Sequence, residues 1–138
     1  MTHVHALGRN GILKRILNFS KALDTVPHNR LLRKLRIYGV EGEVLQWIAA
    51  FLNNRQQQVL CDGVKSRRTE VTSGVPQGTV LGPLLFLLHV NDMPSVIDPG
   101  TTMRLFADDA LIYRVITTIQ DQVTLQQDLD RLQRWAHT

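Results

Sequence analysis

The sequence predicts an α+β fold, with a small antiparallel sheet packed against helices. Three observations carry this. Helical apolar periodicity recurs in residues 27–39, 43–54 and 117–138. Strand-like runs meet in tight turns at Asp62-Gly63 and at Asp108-Asp109. A Gly/Pro-rich loop, "SGVPQGTVLGP" (73–83), separates one hairpin from a wholly apolar run. Hairpins mixed with helices, without βαβ alternation, make α+β the natural class.

The elements follow in chain order. "ILKRILNF" (12–19) is mostly apolar and fits either a strand or a short helix. "PHNRLLRKLRIYG" (27–39) fits a helix, with Pro27 in its first turn and Gly39 ending it; Leu31, Leu32, Leu35 and Tyr38 form the apolar stripe. "EVLQWIAAFLNN" (43–54) is a second helix, with Val44, Trp47, Ile48, Phe51 and Leu52 as its stripe. Asp62-Gly63 is a two-residue hairpin signal. The run at 84–90 has no polar face, which predicts a helix buried nearly all round. "TMRLFADDALIYRVI" (102–116) fits two strands joined at the Asp pair. The final segment is an amphipathic helix. Thr118 and Asp121 resemble a capping box, and Leu125, Leu129, Leu132 and Trp135/Ala136 form the stripe.

Composition narrows the function classes. The chain has 138 residues, 43% hydrophobic and 20% charged, enough for one globular domain with a core. A net charge of +4 permits a polyanionic partner. Basic residues cluster at Arg30, Arg33, Lys34 and Arg36 and again at Lys65, Arg67 and Arg68. Each cluster fits either phosphate tracking or a solvated surface. Two Trp, two Tyr and four Phe offer no stacking platform. The lone Cys61 excludes an internal disulfide and favours a reducing compartment. The longest apolar stretch, 80–90, is too short to span a bilayer, and the N-terminus lacks a signal-peptide core. The expected location is intracellular, cytoplasmic or nuclear, with no membrane partner. His3 and His5 fit a ragged terminus better than a metal site.

Asp108-Asp109, set between apolar runs, poses the chemical question. Two adjacent carboxylates repel and are costly to bury. A tight turn accommodates them by local hydrogen bonding. A divalent cation would instead remove the repulsion, and a hard ion such as Mg²⁺ takes carboxylate oxygens together with substrate phosphates.

"FSKALDTVPHNRLLRKL" (19–35), "SGVPQGTVLGPLLFLLHVNDMP" (73–94) and "LFADDALIY" (105–113) occur in this order. Together they resemble the reverse transcriptase domain of non-LTR (LINE-type) retrotransposons, from about Leu17 to about Trp135. The resemblance implies a palm fragment over residues 17–138, after a divergent segment at 1–16, with fingers and thumb largely missing. It implies RNA-directed DNA polymerase chemistry with Mg²⁺ on an RNA template, a DNA primer and deoxynucleoside triphosphates. A partner chain could then supply fingers or thumb. Asp108 becomes a metal ligand, with Asp109 its neighbour in the same site. Gln77 and Gly78 fall in the loop that meets template and nucleotide.

The first motif departs from the family pattern, in which an aspartate precedes "FSKAFD". Here the segment is "LNFSKALD", so the metal-binding position is Asn18. Asp24 lies six residues on, about 20 Å away along an extended strand at roughly 3.3 Å per residue. It is expected to serve as a turn or as a cap ahead of the Pro27 helix. Leu23 replaces an aromatic that in the family lies under the nucleotide sugar. These departures predict a chain with little or no polymerase activity. The rival reading is a retroelement remnant that binds nucleic acid, or a protein partner, without catalysis.

Overall fold

A computed structural model describes residues 2–7, 11–18, 22–106 and 109–137. The chain divides into two compact units, one of residues 1–20 with 90–138 and the other of residues 21–89.

The first unit is built on a four-stranded antiparallel sheet. Its strands are β1 (Thr2–Leu7), β2 (Ile12–Asn18), β7 (Thr102–Phe106) and β8 (Asp109–Val115), in the order β1-β2-β8-β7. The segment 12–18 is therefore a strand, and the residues around His3 and His5 form an edge strand instead of a ragged end. β8 explains the alternation of its sequence. Ala110 and Ile112 are fully buried, whereas Asp109, one residue away, is exposed. Helix α4 (Ile119–His137) packs against β8 and against the 3₁₀ turn at Met93–Val96.

The expected capping box at the start of α4 is present. Asp121 N–H donates to Thr118 Oγ1 at 3.3 Å, and Thr118 N–H donates to Asp121 Oδ2 at 2.9 Å. Leu125, Leu129 and Leu132 are buried as the stripe requires, but Ala136 is exposed. The same buried face carries Asp128, which has no solvent exposure. Its carboxylate accepts from Asp98 N (2.8 Å), Thr101 Oγ1 (2.5 Å) and the Arg131 guanidinium. Arg114 joins the neighbouring carboxylates, donating to Asp98 at 2.7 Å and lying 3.4 Å from Asp121.

The second unit contains α1 (His28–Ile37), α2 (Gly42–Leu52) and two short ribbons. β3 (Gln56–Gln57) pairs with β6 (Thr69–Glu70), and β4 (Leu60–Cys61) pairs with β5 (Val64–Lys65). The Asp62-Gly63 turn is realised with φ of 50° and 80°, the left-handed pair a two-residue hairpin demands. Gly39 ends α1 at φ 83°, and Val40 N–H reaches back to Leu35 O, a Schellman closure.

Two stripe expectations are corrected. α2 buries Leu45, Ile48 and Leu52, while Val44 and Trp47 are about 60% exposed. Trp47 stacks on Phe51 instead. Two adjacent stripes of the helix, 44/47/51 and 45/48/52, are both apolar, so periodicity alone does not choose between them. Helix α3 (Leu81–Val90) buries Leu85, Phe86, His89 and Val90 but exposes Leu84 and Leu87, so it is not buried all round. Among the described residues no helix is long and apolar enough to cross a membrane.

Candidate active site

In the first unit the site begins with β8. Burial of Ala110 and Ile112 sets the strand's inward face, and period-two alternation turns Asp109 to the other. Asp109 is the first residue of β8, and the register sets its Cα opposite Asn18 of β2 on one side and Phe106 of β7 on the other. Asn18, in the first motif, is thus one strand away from Asp109 in the third. Asp108 lies outside the described residues. Among the described residues no group of three or more His, Cys, Asp or Glu is placed to hold a metal ion.

In the second unit the end of the first motif and the "SGVPQG" loop are bound to each other. Residues Ala22–Asp24 form a 3₁₀ turn. Val75 N–H donates to Leu23 O at 2.7 Å, and Gly74 N–H donates to Val26 O at 2.8 Å. Ser73 Oγ donates to Asp24 O at 2.9 Å. A β-carbon at Gly74 would stand 2.6 Å from Asp24 O, and its φ is 87°, so this approach requires glycine. Gln77 Nε2 donates to Asp24 Oδ1 at 3.0 Å. The loop then turns into α3: Thr79 Oγ1 donates to Pro76 O at 2.8 Å and accepts from Gly82 N at 3.0 Å.

Leu23, Gln77 and Gly78 are therefore gathered on one small framework. Leu23 is half-buried, and Gln77 and Gly78 are exposed. Asp24 belongs to the same group. It sits in a turn, as expected, but it does not cap α1: Pro27 holds the N-cap position and no side chain caps it. Its partner is Gln77, 53 residues away, and no local sequence signal marks a contact of that separation.

The first basic cluster does not act as a unit. Lys34 is buried, and its Nζ donates to His89 O at 2.6 Å. Arg33 and Arg36 are exposed, as are Lys65, Arg67 and Arg68. The second unit also holds a polar cleft of about 820 Å³, lined among others by Asn29, Asn53, Arg55, Glu70 and Ser73. Asp24, Ser73 and Gly74 line a smaller one of about 350 Å³.

Residues 8–138 match the family described as reverse transcriptase (RNA-dependent DNA polymerase). The chain is 32% identical over 127 residues to the RNA-directed DNA polymerase from mobile element jockey of Drosophila funebris, covering 87% of this chain and 14% of that protein. It is 33% identical over 128 residues to the jockey polymerase of Drosophila melanogaster, with the same coverage of 87% and 14%. It is 27% identical over 107 residues to the retrovirus-related Pol polyprotein from type-1 retrotransposable element R2 of Popillia japonica, covering 70% of this chain and 18% of that protein. The chain thus spans less than a fifth of the length of these curated relatives.

Proposed function

Because the chain belongs to the reverse transcriptase (RNA-dependent DNA polymerase) family, in its LINE-type branch, we propose that it is palm sequence of an RNA-directed DNA polymerase whose own site is disabled at Asn18. The substrates of this reading are an RNA template, a DNA primer and deoxynucleoside triphosphates. The supporting observation is the register that sets Asn18 opposite Asp109.

The donor set suits a hard divalent cation such as Mg²⁺. Asp108 and Asp109 bring carboxylate oxygens, and an asparagine at 18 can add a carbonyl oxygen. When bound, such ions supply charge neutralisation at the transferring phosphate and activation of the attacking 3′-hydroxyl. The chain's own residues do the rest by positioning. β8, fixed by Ala110 and Ile112, aims Asp109 out of the core. Gly78, at φ 76° with open space where a side chain would stand, lets the loop backbone approach a nucleotide closely. Gln77 offers an amide, donor and acceptor together. Leu23 stands for the residue that meets the sugar. An aliphatic side chain there weakens the discrimination between deoxy and ribose forms.

Asn18 brings no charge to a site meant for two dications. The loss costs on the order of several kcal/mol of transition-state stabilisation, a factor of about 10³ in rate or more. The test is primer extension on an RNA template with Mg²⁺ or Mn²⁺. The purified chain is expected to extend no further than its Asp108→Ala, Asp109→Ala double variant. Residues 17–113, grafted into a complete active relative, should be dead as they stand and should recover much of the rate with Asn18→Asp. Equal rates in the two grafts would refute the assignment of Asn18, and extension by the natural chain would refute its inactivity.

A further inference from the structure

The bond between Gln77 and Asp24 does more than hold a loop. A carboxylate has only acceptors, whereas a glutamine amide has a donor end and an acceptor end. With Nε2 donating to Asp24 Oδ1 at 3.0 Å, the amide points one way. Turned over, it would set Oε1 against Oδ1, two acceptors facing each other. The carboxylate itself stands on a fixed base. The carbonyl of Asp24 accepts from Ser73 Oγ, that of Leu23 accepts from Val75 N–H, and Gly74 lies too close to the Asp24 backbone for any side chain. Gln77 is exposed, so the bond fixes which end of its amide is left free of Asp24.

We propose that Asp24 is a positioning residue that fixes the orientation of the Gln77 amide toward an incoming deoxynucleoside triphosphate. This rests on the reading of the 73–78 loop as nucleotide-binding. It also ties two determinants together, because Leu23, the sugar-side residue, is adjacent to Asp24 in the same turn.

A purely mechanical tie and a polarity-setting one respond differently to Asp24→Asn. Asparagine can accept from Nε2 or donate to Oε1, so it keeps the tie but admits both amide orientations. If these are equally populated, nucleotide affinity falls about twofold, because only the competent half binds. Loss of a negative charge near a triphosphate would by itself tighten binding, so dTTP binding is compared at about 1 M monovalent salt, where a Debye length of about 3 Å screens that effect.

The experiment uses the ¹⁵N-labelled 138-residue chain. The Gln77 side-chain amide pair is assigned by its disappearance in Gln77→Ala, and dTTP with Mg²⁺ is the probe. Circular dichroism verifies that Asp24→Ala and Asp24→Asn are folded. The pair should be displaced from the position of a free glutamine in the natural chain and collapse to it in Asp24→Ala. Asp24→Asn should keep the unfolding temperature of the natural chain yet bind dTTP about twofold more weakly. A Gln77 pair indifferent to Asp24→Ala overturns the proposal, as does equal or tighter dTTP binding by Asp24→Asn. A pair that responds to Asp24→Ala but not to dTTP in the natural chain overturns the nucleotide reading of the loop instead.

Discussion

Asn18→Asp sets a second carboxylate in register with Asp109, one strand over. Cross-strand partners in an antiparallel pair have Cα atoms about 4.5–5.5 Å apart. Two unit charges about 5 Å apart repel by roughly 0.8 kcal/mol in a water-like dielectric, and by about 3 kcal/mol at an effective dielectric of about 20. Asp109 is exposed, so the lower end applies. Without divalent cations the variant should therefore unfold about 4 °C below the natural chain, taking about 1 kcal/mol of destabilisation for a domain of this size. Mg²⁺ should reverse the order, because a dication between two carboxylates turns repulsion into attraction. Monovalent salt can only screen the repulsion, without changing its sign. The assay is thermal unfolding of both chains in EDTA, in millimolar Mg²⁺ and in monovalent salt of matched ionic strength. Identical unfolding temperatures in EDTA, with no extra gain from Mg²⁺ for the variant, would refute the proposal that residue 18 and Asp109 share a metal site.

Asp128→Ala should lower stability by about 3 kcal/mol, since it strips the acceptor from three donors in a site without solvent; chemical denaturation measures the loss. Asp121 carries the pH dependence. The Thr118 hydroxyl, then the backbone N–H groups of Thr118 and Thr117, hold its carboxyl well below the usual range. A depressed folded-state value means stability that is present above the unfolded value, near 3.9, and lost as the pH falls toward the folded one. Asp121→Ala should thus be less stable at neutral pH and should lack part of the acid limb in unfolding-temperature profiles.

The sequence by itself determined the elements whose signals are local. The Asp62-Gly63 hairpin, the Gly39 stop of α1, the Thr118–Asp121 capping box and the antiparallel pairing of β7 with β8 each rest on contacts between near neighbours, which a short window contains. The family motifs were legible for the same reason, being unbroken stretches. Only the tertiary structure chose which face of α2 and α3 turns inward, because α3 is apolar on every side and in α2 two adjacent stripes, 44/47/51 and 45/48/52, are both apolar. Only it settled 12–18 as a strand, since β2 earns its state by pairing with β1 and β8. Lys34 looked like a surface cation and is instead spent on a carbonyl 55 residues away. Asp24 sits in the expected turn, but its side chain reaches Gln77 and does not cap α1, and Asn18 met Asp109 only through strand register. These outcomes depend on distances between segments far apart in the chain. Residue order alone does not encode such distances until burial of Ala110, Ile112 and their neighbours sets the register of the strands.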